Sequence, residues 1–180
     1  MTFPRSACLS LFALLLLPAT PVLAGEVSAV INGKSFHVGA TEDWNEDNFG
    51  LGVEYQFASE SRWKTLLFAN GFSDSSENMS YMLGAGLHRN LFASDRLRGF
   101  YIDAGINAFF MTREDINNNR PFPGALPSLT IGNRYVGINL SYMPGKAIEK
   151  LYDSRMMDET IRGIVFLQLK FNASALFGGD

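Results

Sequence analysis

The chain is 180 residues long, 47% hydrophobic and 18% charged, with a net charge of −3. A mild negative charge and the lack of any basic run exclude the electrostatic footprint of a nucleic-acid binder. The single cysteine, Cys8, lies so early that a mature chain would hold no disulfide, no thiol nucleophile and no cysteine metal site.

Residues 1–24 read as a secretory signal peptide: Arg5 supplies a positive start, Leu11 to Leu17 an apolar core, and Val22-Leu23-Ala24 a small-residue cleavage site. The apolar run is well short of the ~20 residues a membrane helix needs. Residues 25–171 then form one domain and residues 172–180 a C-terminal tail.

From Gly25 onward glycine, aromatic and β-branched residues dominate, and apolar residues recur with a period of two, which predicts strands. The first candidate strand spans about Val27 to Val38 and alternates poorly. The second, Phe49 to Phe57, is the clearest: Phe49, Leu51, Val53, Tyr55 and Phe57 oppose Gly50, Gly52, Glu54 and Gln56. A third, Trp63 to Phe72, is less clean. In the fourth, Tyr81, Leu83, Ala85 and Leu87 oppose Met82, Gly84, Gly86 and His88; in the fifth, Ile102, Ile106 and Phe110 oppose Asp103, Gly105 and Asn107. The sixth covers Leu126 to Ile131. In the seventh Val136, Ile138, Leu140 and Tyr142 oppose Gly137, Asn139 and Ser141, and in the last Val165, Leu167, Leu169 and Phe171 oppose Phe166, Gln168 and Lys170.

Eight strands fit a soluble sandwich or a closed barrel. The connections decide, because those after strands one, five and seven (Ala40 to Asp47, Thr112 to Ala125, Pro144 to Thr160) are long, whereas turns near Ala58 to Arg62, Asn90 to Leu97 and Gly132-Asn133 are shorter. Long loops at one end and short turns at the other describe an outer-membrane barrel. Such a barrel turns its apolar face to lipid and can pair Glu54, Gln56, Asp103, Asn107, Asn139, Gln168 and Lys170 inside, where a dry sandwich core could not. The fold class expected is therefore all-β, an eight-stranded antiparallel transmembrane β-barrel, monomeric and located in the outer membrane.

With the first strand rising, His37 lies at its top, and Asp74 and Ser75 follow the third strand onto the same rim. A histidine titrates near ambient pH and can serve a hydroxyl nucleophile or acceptor, with a carboxylate to orient it. Against this, Asp-Ser is a common loop dipeptide and a lone histidine is usually structural. His88, at the bottom of the fourth strand, reads as structural. Phosphate loops, His-x-x-x-His pairs and nucleophile elbows are missing, so no metal and no cofactor are expected. Eight strands are too few for a permanent aqueous channel, which makes a small-solute transporter a weak alternative.

Three stretches resemble the lipid A palmitoyltransferases of the PagP type. Gly71-Phe72-Ser73-Asp74-Ser75 through Gly84-Ala85-Gly86 is similar to that family's Asp-Ser loop and glycine strand. Ser35-Phe36-His37 followed by Asn48-Phe49-Gly50-Leu51-Gly52 resembles its first two strands. Pro121-Phe122-Pro123-Gly124-Ala125-Leu126-Pro127, continuing to Tyr142-Met143-Pro144-Gly145, resembles its proline-rich approach to strand six and the close of strand seven. The resemblance implies transfer of a palmitoyl-type chain from a phospholipid to lipid A, with membrane lipids as partners. It implies a catalytic triplet of His37, Asp74 and Ser75, an acyl-pocket floor at Gly86, and a lateral lipid gate flanked by Pro127 and Pro144. The family's amphipathic N-terminal helix and its prolines beside the first and second strands have no counterpart here. Without catalysis, the same barrel would bind a lipid or small amphiphile.

Overall fold

A computed structural model of the protein describes residues 25–41, 43–151 and 161–178. The expected signal peptide lies outside the described residues. Eight strands form where the period-two pattern runs: β1 (Gly25–Val38), β2 (Asp47–Phe57), β3 (Trp63–Ser73), β4 (Met79–Ser94), β5 (Phe100–Met111), β6 (Phe122–Gly132), β7 (Val136–Pro144) and β8 (Gly163–Asn172). Each pairs antiparallel with the next, and β1 pairs with β8 from Ser28↔Asn172 to Val38↔Gly163, so the sheet closes as a barrel in sequence order. Closure leaves no free sheet edge except along part of the β6–β7 seam, which suits a sheet that stands in hydrocarbon. The outward residues fit that setting, since Phe49, Leu51, Leu67, Leu83, Ile106 and Phe110 are all exposed.

Several boundaries differ from those expected. β4 runs on to Ser94 where a turn was expected from Asn90, because a bulge between Asn90 and Phe92 absorbs the break in alternation and lets the ladder with β5 continue. β6 starts at Phe122, inside the stretch read as a loop, since its prolines still accept pairing on the β5 side from Met111↔Phe122 onward. The long connection after β7 begins as a helix, α2 (Gly145–Leu151), and the tail after β8 as another, Ala173–Phe177. A shorter helix, α1 (Glu114–Asn117), lies in the connection after β5.

A second bulge explains why the first strand alternates poorly. Register along β1 shifts between Asn32 and Lys34. Below it Ser28, Val30 and Asn32 point inward, and above it Ser35 does, so the inward set moves from even to odd positions. That switch is what turns His37 to the lumen.

The interior is not wet throughout, as the alternation implied. Its lower half is polar: Glu54 pairs with Lys170, Lys64 with Asp103 at 2.8 Å, Asn90 with Asp103 at 2.7 Å, and Thr130 with Asn139 at 2.8 Å. Its upper half is apolar, where Leu66, Phe68, Phe72, Phe109 and Met111 make one cluster. Met143, Ile164 and Ile161 form a second cluster with Ile148 of α2, which lies over the rim. β3 was hard to read for this reason, since Leu66, Phe68 and Phe72 face inward while Trp63 and Leu67 are exposed on the other face.

One ladder is incomplete. β6 and β7 pair only from Ser128↔Ser141 to Gly132↔Gly137, whereas β6 pairs with β5 from end to end. Pairing stops at the residue after Pro127, which has no N–H to contribute. Residues 122–127 and 142–144 therefore stand side by side without a ladder, on the same end of the barrel as His37.

Candidate active site

His37, next to last in β1, pairs in register with Ile164 of β8. Its side chain is 3% exposed and stacks on Trp44, with ring centroids 5.5 Å apart and planes 18° from parallel. Glu46 accepts the backbone N–H of His37 at 3.2 Å, and its Oε1 lies 3.9 Å from Nδ1 of the ring. That nitrogen is buried and makes no hydrogen bond among the described residues.

Asp74 and Ser75 follow β3 into a four-residue turn closed by the Glu77 N–H donating to the Asp74 carbonyl at 3.0 Å. Asp74 is fully buried. Its Oδ1 accepts the N–H groups of Ser76 at 2.9 Å and Asn78 at 3.1 Å, and its Oδ2 accepts the Ser80 hydroxyl at 2.7 Å. An aspartate capping its own turn in this way explains why the turn forms here. Ser75 is half-buried at the first central position, held by its neighbour's bonds.

Two other groups tie these elements together. Asn45 donates through Nδ2 to the Asp74 carbonyl at 3.1 Å, and Asn48 to the Ser73 carbonyl at 2.9 Å, so the segment carrying Trp44 and Glu46 also holds the Asp74 turn. Arg113, just after β5, places Nε 3.6 Å from Asp74 Oδ2. Arg113 also donates to both carboxylate oxygens of Asp115, at 3.0 and 2.9 Å, and Ser76 donates to Asp115 at 3.0 Å. Burial of Asp115 pushes its pKa up, but the hydrogen bonds and charge of Arg113, with the Ser76 bond, outweigh burial and hold it below the usual carboxylate range.

His37, Asp74 and Ser75 thus share one rim. They do not form a hydrogen-bonded relay among the described residues, because the Asp74 carboxylate is taken up by its own turn, by Ser80 and by Arg113. The carboxylate nearest His37 is Glu46, which pattern reading passed over as one more polar loop residue. Trp44, Ser80 and Arg113 were missed because each acts through a side-chain contact with His37 or Asp74 that alternation does not report. Gly86 lies inward at mid-height, where an added Cβ would sit 2.8 Å from Leu66 Cδ1 and would collide with Asn107 Oδ1. Below it His88 Nε2 meets both Asn107 Oδ1 and Ser128 Oγ at 2.9 Å, a structural role as its position suggested. Pro127 and Pro144 lie at the incomplete β6–β7 seam.

Residues 27–151 match the model of the family described as "Antimicrobial peptide resistance and lipid A acylation protein PagP". The protein named "Lipid A acyltransferase PagP" of Methylobacillus flagellatus is 32% identical over 105 residues, which are 58% of this chain and 55% of that protein. The protein of the same name from Laribacter hongkongensis is 28% identical over 105 residues, 58% of this chain and 48% of that one. The chain spans about half the length of these curated relatives. The eight-stranded barrel with its incomplete β6–β7 seam, and a family match that runs from β1 into α2, lead to one conclusion: the chain belongs to the PagP family.

Proposed function

We propose that this barrel is a lipid A acyltransferase of the outer membrane, moving a palmitoyl-type chain from a phospholipid to a lipid A hydroxyl. The observation that carries the reading is that His37 and the Asp74–Ser75 turn share one rim above an apolar half-lumen, at the end where the β6–β7 ladder is missing. Through that opening, flanked by Pro127 and Pro144, a lipid chain would enter from the bilayer without crossing water. Its tail would lie among Leu66, Phe68 and Phe109, and Gly86 with Asn107 would form the floor.

The His37 imidazole takes the proton of the acceptor hydroxyl as that oxygen attacks the acyl carbonyl carbon. A new ester bond forms, the ester bond to the donor glycerol breaks, and the proton passes to the departing glycerol oxygen, leaving a lysophospholipid. Ser75 donates a hydrogen bond to the carbonyl oxygen as charge builds on it. Asp74 holds Ser75 in place through its turn, and Glu46 holds the His37 backbone and sets its negative charge beside the ring. The names of the relatives support this chemistry.

A second reading is a barrel that binds a lipid without transferring it. It draws on the Asp74 carboxylate, which is fully occupied by the turn and by Ser80. Mass spectrometry of lipid A from cells with and without the protein, and with His37→Ala, separates the two. An added acyl chain that vanishes in the variant supports transfer, and identical lipid A in all three strains overturns it.

A further inference from the structure

We propose that the short-turn end of the barrel carries a docking site for the headgroups of anionic phospholipids, centred on Arg98 and Arg134, in the monolayer opposite the one that His37 faces. The proposal needs only a barrel that stands in a membrane, and it holds whether or not acyl chains are transferred.

Backbone bonds bring the two arginines together. Arg98 lies in the connection between β4 and β5, Arg134 in the turn between β6 and β7, and the Arg134 N–H donates to the Arg98 carbonyl at 3.2 Å. That turn is also fixed from within and from its other side. Asn133 Oδ1 accepts the N–H groups of Tyr135 at 2.9 Å and Val136 at 3.1 Å, and the Tyr135 carbonyl accepts the Asn172 N–H at 2.9 Å. The two arginine side chains, by contrast, are exposed and make no ion pair or hydrogen bond among the described residues. Of the acids at this end, Glu26 accepts from Asn172, and neither Glu60 nor Asp95 forms an ion pair with them.

Like charges held on neighbouring turns without a counter-charge repel, and a phosphodiester that takes a guanidinium on each side removes that repulsion. Arg98 has φ 58° and ψ 37°, a left-handed conformation suited to glycine or asparagine. A long cation therefore stands there against local preference, with no contact inside the protein to offset it. The surroundings are apolar: Leu97 beside Arg98, and Tyr135 and Val136 beside Arg134, are exposed and continue the lipid-facing wall. Cations at the border of an apolar band sit where the headgroups of acidic lipids lie. Elsewhere on the same end Arg89 lies over the ring of exposed Trp63, 5.9 Å from its centroid, so cation and aromatic ring recur along this rim. A free anion or a water-soluble acidic partner would have no use for Leu97 and Tyr135, whereas a lipid engages the arginines with its phosphate and the apolar side chains with its tails.

The test puts the refolded full barrel into phosphatidylcholine vesicles with a trace of spin-labelled phosphatidylglycerol or spin-labelled phosphatidylcholine, and reads the fraction of label immobilised at the protein. The expected result is a preference for phosphatidylglycerol of about fivefold for each arginine that reaches the headgroup, falling as salt is raised. Arg98→Asn with Arg134→Gln keeps the backbone bond between the two turns and suits the left-handed position, and it should lower the preference at least fivefold. Lys146→Gln with Arg162→Gln, at the His37 end, should leave the preference unchanged. Equal immobilisation of the two lipids by the unaltered barrel overturns the proposal, and that comparison decides it even where a variant does not refold. A smaller fall in the Arg98 and Arg134 variant overturns the pair as the centre of the site, and loss of the preference in the Lys146 and Arg162 variant overturns its assignment to this end. Inorganic phosphate at the concentration of the labelled lipid should not compete, and displacement of the label by it overturns a lipid as the partner.

Discussion

Below Gly86 the lumen is crossed by side chains that bind one another: Glu54 with Lys170, Lys64 and Asn90 with Asp103, Thr130 with Asn139, and His88 with Ser128. Above it, Phe68, Phe72, Phe109 and Met111 pack as hydrocarbon, and the polar groups on the facing wall include amides with unmet hydrogen bonds. The lower half resembles a finished protein interior, whereas the upper half resembles an interface waiting for a partner molecule. The contrast teaches that one barrel can divide its labour along its axis. Stability is concentrated where polar groups are satisfied, and the proposed chemistry falls in the half where they are not.

Substitutions in each half should therefore act on different observables. The largest effect is expected from His37→Ala, which should lower acyl transfer about 10²- to 10⁴-fold, the usual worth of a general base, with an unchanged unfolding midpoint. A coincident loss of stability would show that the ring is structural. Lys170→Met should do the opposite. Leaving Glu54 buried without its partner should cost about 3–5 kcal/mol in urea unfolding, while transfer by the folded fraction stays near wild type. Gly86→Met sits on the border. Its side chain would project into the space beside Leu66 and Asn107, so transfer should shift toward shorter chains by several carbons, read from the mass of the acylated product.

Glu46→Gln keeps the bond to the His37 backbone but removes the charge facing the ring. Transfer should fall about tenfold, equivalent to ~1.4 kcal/mol, and the acid limb of the rate profile should move to lower pH because protonated imidazole loses its counter-charge. The smallest effect belongs to Asp115. Its pKa is depressed in the folded protein, so its share of stability is present above the unfolded carboxylate value near 4 and is lost as pH falls through the folded one. Proteolysis of the loop after β5 should therefore rise with acid, and Asp115→Asn should show raised cleavage already at neutral pH.

Much of this was legible in the residues. Clean alternation in β2, β4, β5, β7 and β8 gave the strands, and the lengths of the connections gave the barrel and its rims. Alternation failed in β1 and β3 for two different physical reasons. Gly33 is bulged in β1 and swaps the inward set in mid-strand, while β3 is apolar on both faces because one meets lipid and the other the upper lumen. His37, Asp74 and Ser75 could be brought to one rim from topology alone. Glu46, Trp44 and Arg113 could not, since their contacts with β1 and the Asp74 turn depend on loop conformations that no periodicity encodes.

The short β6–β7 ladder has one more consequence. The seam lacks pairing at the His37 end and is stitched from Ser128 to Gly132 at the other. On the proposed reading, lipid traffic through the wall would be confined to a single monolayer, and molecules in the opposite monolayer would be out of reach however abundant they become. A protein built this way would work at a pace set by how many donor lipids have strayed onto its side, making its output a gauge of bilayer asymmetry.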